Sequence, residues 1–418
     1  MTLSTGSDTI QELTIEELRA KVGTGMEIAD AEEHMLLSMG PQHPSTHGVL
    51  RLLVELDGET VINVAPDIGF LHTGIEKNME SKTFTKALVM TDRMDYLSPM
   101  SNNLGYILAV EKLLGVEAPP RAQAIRVILT ELARISSHLV WLGTHALDLA
   151  AMTVFLYCFR EREYILDLFE MVSGQRMMVS YFRPGGVWRD LPEEFIPAVR
   201  HFLDFFPSRL ADYEALLTNN PIFLSRTKGV GIISAEDAVS WGLTGPSLRA
   251  SGVKWDIRKT QPYCGYEQYD FDVPTRTDGD VYSRYLCRIQ EFRESLRILH
   301  QALDKLPDGP IKIDDRKIVP PPRSELGHSM EAVIHHFKLW TEGFKAPQGF
   351  VYQSIESPRG EFGCYLRGDG GPKPARVHFR APSYVNLASL PKMAKNLFVA
   401  DLVAIIGSID IVLGEIDR

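Results

Sequence analysis

Four stretches of helical periodicity in close succession, between residues 77 and 172, do most to decide what this chain can fold into. Apolar residues recur at the helical period over 77–92, 99–114, 122–149 and 152–172. Pro119 and Pro120 open the third stretch at a position that a helix tolerates. Such a series predicts a large helical core. Two segments approach the apolarity of a membrane span: 139–158 reads LVWLGTHALDLAAMTVFLYC, and 397–413 reads LFVADLVAIIGSIDIVL. The first carries His145 and Asp148, the second Asp401 and Asp410, all costly in lipid. Both segments therefore read as buried core helices.

Strand grammar flanks that core. MLLSMG, GVLRLLVELDGE and TVINVAPDIG alternate apolar and polar residues around an Asp57-Gly58 turn, which predicts hairpins. After a break at YFRPGGVW, an amphipathic helix is expected over 192–217, then a loop-rich stretch over 218–277 with short strands at most, then a helix over 280–305. PDGPIKIDDRKIVPPP is a proline-rich crossover. Strands are expected over 349–357, 361–367 and 375–380, and a last helix over 390–407. The pattern is α+β, a large central helical bundle with small β elements near the N- and C-terminal ends. Within one unit over 35–418, this divides into a β element over 35–70, a helical core over 77–306, and C-terminal strands and helix over 349–418. Residues 1–34 are polar and acidic with no signal-peptide core, and read as a flexible arm.

Charge and motif content remove several function classes. Forty-four Lys and Arg against 54 Asp and Glu leave a net charge of −10 with no basic block, which argues against a nucleic-acid partner. The four cysteines (Cys158, Cys264, Cys287 and Cys364) are scattered, against a disulfide scaffold, a zinc ribbon or a self-contained iron–sulfur site. No phosphate-binding glycine loop and no G-x-S-x-G elbow occurs. The chain reads as cytoplasmic, and docking onto a membrane partner stays open.

Candidate chemistry gathers in three places. In GPQHPSTHG (40–48), Pro41, Pro44 and Gly48 discourage a helix, so a tight loop is expected to point His43 and His47 into a shared space. Two imidazoles there suit proton transfer or metal binding, and the loop is equally compatible with a plain turn. In DRMDYLSPM (92–100), Arg93 and Tyr96 lie three apart, so both can face one side of a helix end. A Tyr hydroxyl beside an Arg can donate a hydrogen bond or a proton, and the same pair can equally be a snorkelling Arg and a core Tyr. THALDL places His145 and Asp148 three apart, with His138 seven residues before His145 on roughly the same face. A buried Asp needs a partner, for a structural reason or a functional one. ESPRGEFG (356–363) sets Glu356, Arg359 and Glu361 around a turn between strands, and RPGG (183–186) is another tight corner. His335 and His336 are adjacent, so their rings diverge.

GPQHPSTHG, GIEKNME, DRMDYLSPM, AVEKLLG, PPRAQAIRVILTEL, THALDLAAMT, YFRPGGV, LLTNNPI, RKTQPY, IHHFKLWTEG, ESPRGEFGCYL and VAIIGSIDIVLGEIDR occur in this order. From Met35 to Arg418 the chain thereby resembles the D-type, quinone-site subunit of the respiratory NADH–quinone oxidoreductase, complex I. That family is similar in fold to the large subunit of nickel–iron hydrogenases. The four cysteine positions that hold the metals there fall here on Asp95, Ser98, Val412 and Glu415, so nickel meets no thiolate. The resemblance implies a quinone as substrate in place of the metals, with no metal or cluster bound by this chain. It assigns His43 and Tyr96 to the two quinone oxygens and gives Asp148 the role of hydrogen-bonding and charging His43. His47 and Met94 join the headgroup site, and Thr73, Arg93, Met178 and Arg183 face a cluster on a neighbouring subunit. The implied partners are the subunit carrying that terminal iron–sulfur cluster, an adjacent small hydrophilic subunit and the membrane subunit of the quinone channel. The implied place is peripheral, on the cytoplasmic face of the cell membrane.

Quinone reduction needs two electrons and two protons. The chain offers no redox centre for the electrons, but a phenol and an imidazole backed by a carboxylate for the protons. A scaffold that lost its metals and only assembles partners, or a ferredoxin-driven relative, are the competing readings. Many relatives carry L-H-R-G where this chain has Leu71-His72-Thr73-Gly74, and R-M-H where it has Arg176-Met177-Met178. Neutral side chains there favour a low-potential cluster and hence menaquinone over ubiquinone.

Overall fold

The computed structural model describes residues 34–418, so the arm expected over 1–34 lies outside it except for His34. Strands β1 (Met35–Met39), β2 (Arg51–Asp57) and β3 (Thr60–Asp67) form an antiparallel sheet in that order. Asp57 pairs with Thr60 across a turn that Gly58 enters at φ 58°, a left-handed conformation that glycine adopts without strain. The helix expected over 77–92 is instead two, α1 (Ile75–Glu80) and α2 (Phe84–Thr91). Ser81 closes the first by donating its hydroxyl to the Asn78 carbonyl at 2.7 Å, and Thr83 then runs extended.

Helices α3 (Pro99–Leu114), α4 (Pro120–Asp148) and α5 (Met152–Ser173) stand where the periodicity puts them. Short strands β4 (Phe182–Arg183) and β5 (Gly186–Val187) make the RPGG corner, and α6 (Phe195–Leu217) follows. The stretch over 218–277 contains no strand. It folds as short helices α7 (Pro221–Thr227), α8 (Ala235–Ser240), α9 (Gly245–Arg249) and α10 (Ile257–Thr260). Asn220, Ser234 and Asp256 accept backbone N–H groups at the starts of α7, α8 and α10, capping signals that a search for alternation passes over. Helices α11 (Val281–Asp304) and α12 (Met330–Thr341) then lead into an antiparallel sheet of β6 (Gln348–Ser357), β7 (Gly360–Asp369) and β8 (Arg376–Arg380). This second sheet lies against α3, where Gly105 leaves room for Phe362: a Cβ there would stand 2.6 Å from the Phe362 ring.

The single helix expected over 390–407 is also broken. The chain forms α13 (Pro382–Ala388), α14 (Leu390–Ala394), α15 (Val399–Ile409) and α16 (Leu413–Asp417). Between α14 and α15 it stops to pair with β3, Asn396 N–H donating to Val61 O at 2.8 Å and Val61 N–H to Leu397 O at 2.7 Å. The architecture is α+β, with the helical bundle central and the sheets near the ends. Among the described residues, no helix is long and apolar enough to cross a membrane. The apolar run over 139–158 is cut between α4 and α5, where Ala150 turns at φ 67°.

Helix α4 is buried on nearly every side, yet it carries charge, and the charges in its buried middle meet partners. Arg126 is held bidentately by Glu111 at 2.9 and 2.6 Å, and Glu111 also accepts Gly185 N–H at 2.7 Å, fixing the RPGG corner. Glu131 accepts from Arg134 (3.2 Å), Arg258 (3.1 Å), Tyr266 (2.6 Å) and Ser295 (2.7 Å). These bonds hold its carboxyl well down, at about 2, against the upward push of burial. His138 bonds Glu291 at 2.7 Å. Glu131→Ala would leave buried Arg134 with no carboxylate partner and take one of two from Arg258. We expect it to cost about 3–5 kcal/mol, read as a lowered denaturation midpoint and reduced recovery of folded chain.

Candidate functional site

The C-terminal turn builds the site. Arg359, fully buried at the β6–β7 turn, donates from Nε to the Asp410 carbonyl (2.8 Å), from Nη1 to Asp95 Oδ2 (2.6 Å) and from Nη2 to Asp410 Oδ1 (3.3 Å). Asp95 turns its other oxygen to the backbone N–H groups of Leu97 (3.1 Å) and Ser98 (3.2 Å), which shapes the segment before α3. Gly414 of α16 sits directly on that segment. A Cβ there would stand 2.7 Å from Met94 O, 2.9 Å from Arg93 O and 3.4 Å from the Tyr96 ring. Asp417 accepts the N–H groups of Gly69 (2.9 Å) and Leu71 (2.7 Å), so the same turn also fixes the loop that bears Thr73.

Tyr96 is half-buried, and its hydroxyl has no hydrogen-bond partner among the described residues. Burial and then Asp95 raise its pKa, with Arg359 opposing, so the phenol keeps its proton. Met94 is wholly inside the apolar core, while Arg93 is exposed and Tyr96 half-buried. Residues 92–98 form turns here rather than a helix end, and the three-residue rule does not apply.

The GPQHPSTHG loop does not put its two imidazoles in one environment. His43 is exposed and caps the turn Pro44–Thr46, its Nδ1 accepting Ser45 N–H at 3.2 Å. His47, at φ 53°, turns inward with Nε2 buried and unpartnered. Burial, then nearby Arg359, push His47 down to about 4. His145 is buried with both ring nitrogens unpartnered, stacked on Trp141 at 5.7 Å. Burial, with Arg288, Arg284 and His47 close by, lowers it to about 3. Both rings are therefore neutral at physiological pH.

Asp148 closes α4, half-buried, with no hydrogen bond or ion pair to His43 or to any other described residue. Burial alone pushes its carboxyl up to about 6. On the opposite corner, Asp92 is buried and raised to about 6, chiefly by burial, against hydrogen bonds from Ser180 and Asn103 (2.7 Å). Arg183, beside it, donates to the carbonyls of Ser180 and Phe182. Thr73 is exposed and Met178 half-buried.

The positions where hydrogenase thiolates would stand are engaged otherwise. Asp95 is on Arg359, Ser98 Oγ bonds Ser101 Oγ (2.7 Å), Val412 offers no donor atom and Glu415 bonds Ser383. Among the described residues, no group of three or more His, Cys, Asp or Glu side chains is arranged to hold a metal ion. Sequence pattern alone gives Arg359 and Asp410 no role in the site. Their only signals are an Arg within the ESPRGEFG turn and an Asp in a run as apolar as VAIIGSIDIVL.

Fold and site define a chain of the hydrogenase large-subunit type with its metal positions filled by other side chains. The family model of the respiratory-chain NADH dehydrogenase 49 Kd subunit matches residues 148–418, and the chain belongs to that family. It is 66% identical over 394 residues to a D-type NADH-quinone oxidoreductase subunit of Roseiflexus sp., covering 94% of each chain. To the D-type subunit of Chloroflexus aurantiacus it is 64% identical over 394 residues, covering 94% of this chain and 96% of that one. The D-type subunit of Geotalea uraniireducens is 58% identical over 386 residues, covering 92% of this chain and 99% of that one.

An acid raised in the folded state binds more protons folded than unfolded, so the fold loses stability as pH climbs from the ordinary carboxyl range to the raised value. Asp148→Asn should therefore match the parent near pH 4 and exceed it above about pH 6. With solvent screening, the gain is on the order of 1 kcal/mol. Thermal unfolding across that pH range reads it.

Proposed function

We propose that this chain is the quinone-site subunit of a proton-translocating NADH–quinone oxidoreductase. It forms the headgroup site and supplies protons, while electrons arrive from an iron–sulfur cluster on a neighbouring subunit. The observation that carries this reading is the Tyr96 hydroxyl, protonated, half-buried and without a partner among the described residues, on a segment held from beneath by Arg359, Asp95 and Gly414. A fixed, unspent donor suits an oxygen that gains charge as it is reduced. His43, exposed at the mouth of its loop, is the donor for the second oxygen. His47 and Met94 shape the pocket wall from inside the protein. Asp148 meets His43 only if the loop moves toward α4, and until then its carboxyl takes up a proton near neutrality.

Exposed apolar surface supports the partner reading. Met330, Val333, Ile334, Phe337 and Trp340 share one face of α12 and are turned outward, Phe337 at 65% and Trp340 at 59% exposure. We assign as partners the subunit holding the terminal cluster, a small hydrophilic subunit and the membrane quinone-channel subunit, with the whole peripheral on the cytoplasmic face of the membrane. Thr73, Arg93, Met178 and Arg183 are the residues proposed to face the cluster.

Tyr96→Phe removes one hydroxyl and should leave assembly intact while lowering quinone reduction by about 10²–10³-fold. His43→Ala should weaken headgroup binding as well as rate. Steady-state assay of the assembled complex checks both, and normal kinetics in either variant would place the site elsewhere. With neutral Thr73 and Met178 near the cluster, its reduction potential should be low and nearly independent of pH, matching menaquinone. Redox titration followed by electron paramagnetic resonance measures this, and a high potential falling with rising pH would remove the menaquinone assignment.

A further inference from the structure

Three carboxyl groups meet around one guanidinium beneath Tyr96, and the contacts are unequal. Asp95 and Asp410 each take a donor of Arg359. Glu415 takes none: Oε2 accepts from the Ser383 hydroxyl and the Ser383 N–H, and Oε1 is buried without a partner, as is Asp410 Oδ2. Two more buried cations flank the cluster: Arg288 donates to the Ser408 (2.9 Å), Ile409 (3.4 Å) and Arg284 (3.4 Å) carbonyls and lies 4.5 Å over the Trp141 ring, while Arg284 donates to Ser408 Oγ (2.9 Å) and faces Asp280. His47, which also faces Arg359, is neutral. With Arg284 offset by Asp280, the guanidiniums of Arg359 and Arg288 stand against three carboxyls and leave one negative charge unbalanced in a buried site, a cost that a single bound proton removes.

We propose that this proton resides on Glu415 and that Glu415 is thereby a positioning residue for Tyr96, a role that rests on the donor reading of Tyr96 above. An uncharged Glu415 leaves Arg359 free to offset Asp95 beside the phenol. Once ionised, it competes for Arg359 and adds a second negative charge under the ring, which makes the phenol a poorer acid. Gly414 seats Tyr96 against the residue next to Glu415, so the two cannot separate without remaking the turn. Burial and then Asp95 push Glu415 up to about 7, Arg359 and Ser383 acting against them, while burial raises Asp410 to about 6. Asp410 keeps its ion pair with Arg359 and Glu415 has none, so the last proton is held on Glu415.

The assembled complex tests this in two arms. Infrared spectroscopy titrated from about pH 5 to about pH 9 should show, in the difference between the parent and Glu415→Gln, a protonated-carboxyl stretching band that fades near neutrality, the signals of Asp92, Asp148 and Asp410 being common to both. Quinone reduction in the parent should fall about tenfold per pH unit above that titration. Glu415→Gln should abolish this alkaline fall and Glu415→Asp should restore it. Ser383→Ala, which removes a hydrogen bond to the ionised form, should move the fall to higher pH by about one unit. The lack of any such band in the difference spectrum, or an alkaline fall unmoved in both Glu415→Gln and Ser383→Ala, overturns the proposal. The infrared arm uses no quinone. A fully active Tyr96→Phe variant would refute the donor reading alone, and the location of the proton would still be read directly.

Discussion

The buried Arg359 guanidinium is the joint on which the site depends. Its bonds gather the segment before α3, the β6–β7 turn and the residue that ends α15, three pieces far apart in sequence. A guanidinium is suited to this because it is planar, permanently charged and carries donors in several directions. Deep in the protein, such a pairing adds little net stability, since desolvation offsets attraction. What it provides is geometry. Asp95 spends one oxygen on Arg359 and the other on the N–H groups of Leu97 and Ser98, and that arrangement sets Tyr96 against Gly414 of α16.

A second tier of buried charge, centred on Glu131 and Arg258 with Arg249, Glu291 and Glu356, ties α4 to α10, α11 and β6. The two tiers meet at the ESPRGEFG turn. Glu356 accepts from Arg249 in the core tier, while Arg359, three residues on, serves the site. The turn couples the bundle to the proposed site directly, so the last strands support that site as well as packing on the bundle.

How much of this the sequence discloses follows from what kind of force is involved. Long helices such as α3, α4 and α5 are legible because amphipathic periodicity is local. The β1–β3 hairpins are legible because Asp57-Gly58 marks its own turn. The breaks at Ser81 and Asn396 are not, because they rest on one hydroxyl bond and on pairing with a strand more than three hundred residues away. Side-chain direction is harder still. His43 and His47 look equivalent in GPQHPSTHG, yet a left-handed backbone at His47 sends one ring inward while the other stays outside. The resemblance named Tyr96 and the filled thiolate positions. It could not supply Arg359 as the partner of Asp95, since that pairing exists only in three dimensions.

The clamp of Asp417 onto Gly69 and Leu71 bridges 348 and 346 residues, and the bond from Arg359 to Asp95 bridges 264. On a ribosome, Asp95 and the Thr73 loop emerge early and must wait for almost the whole chain before their partners exist. Until residue 359 appears, a carboxylate destined for burial has no cation to meet, so the bundle cannot close over that corner at low cost. The proposed site therefore cannot close until residues 359, 410 and 417 are all present. Any chain released before residue 417 presents an open seam in place of a defective site, the kind of surface that chaperones and proteases act on.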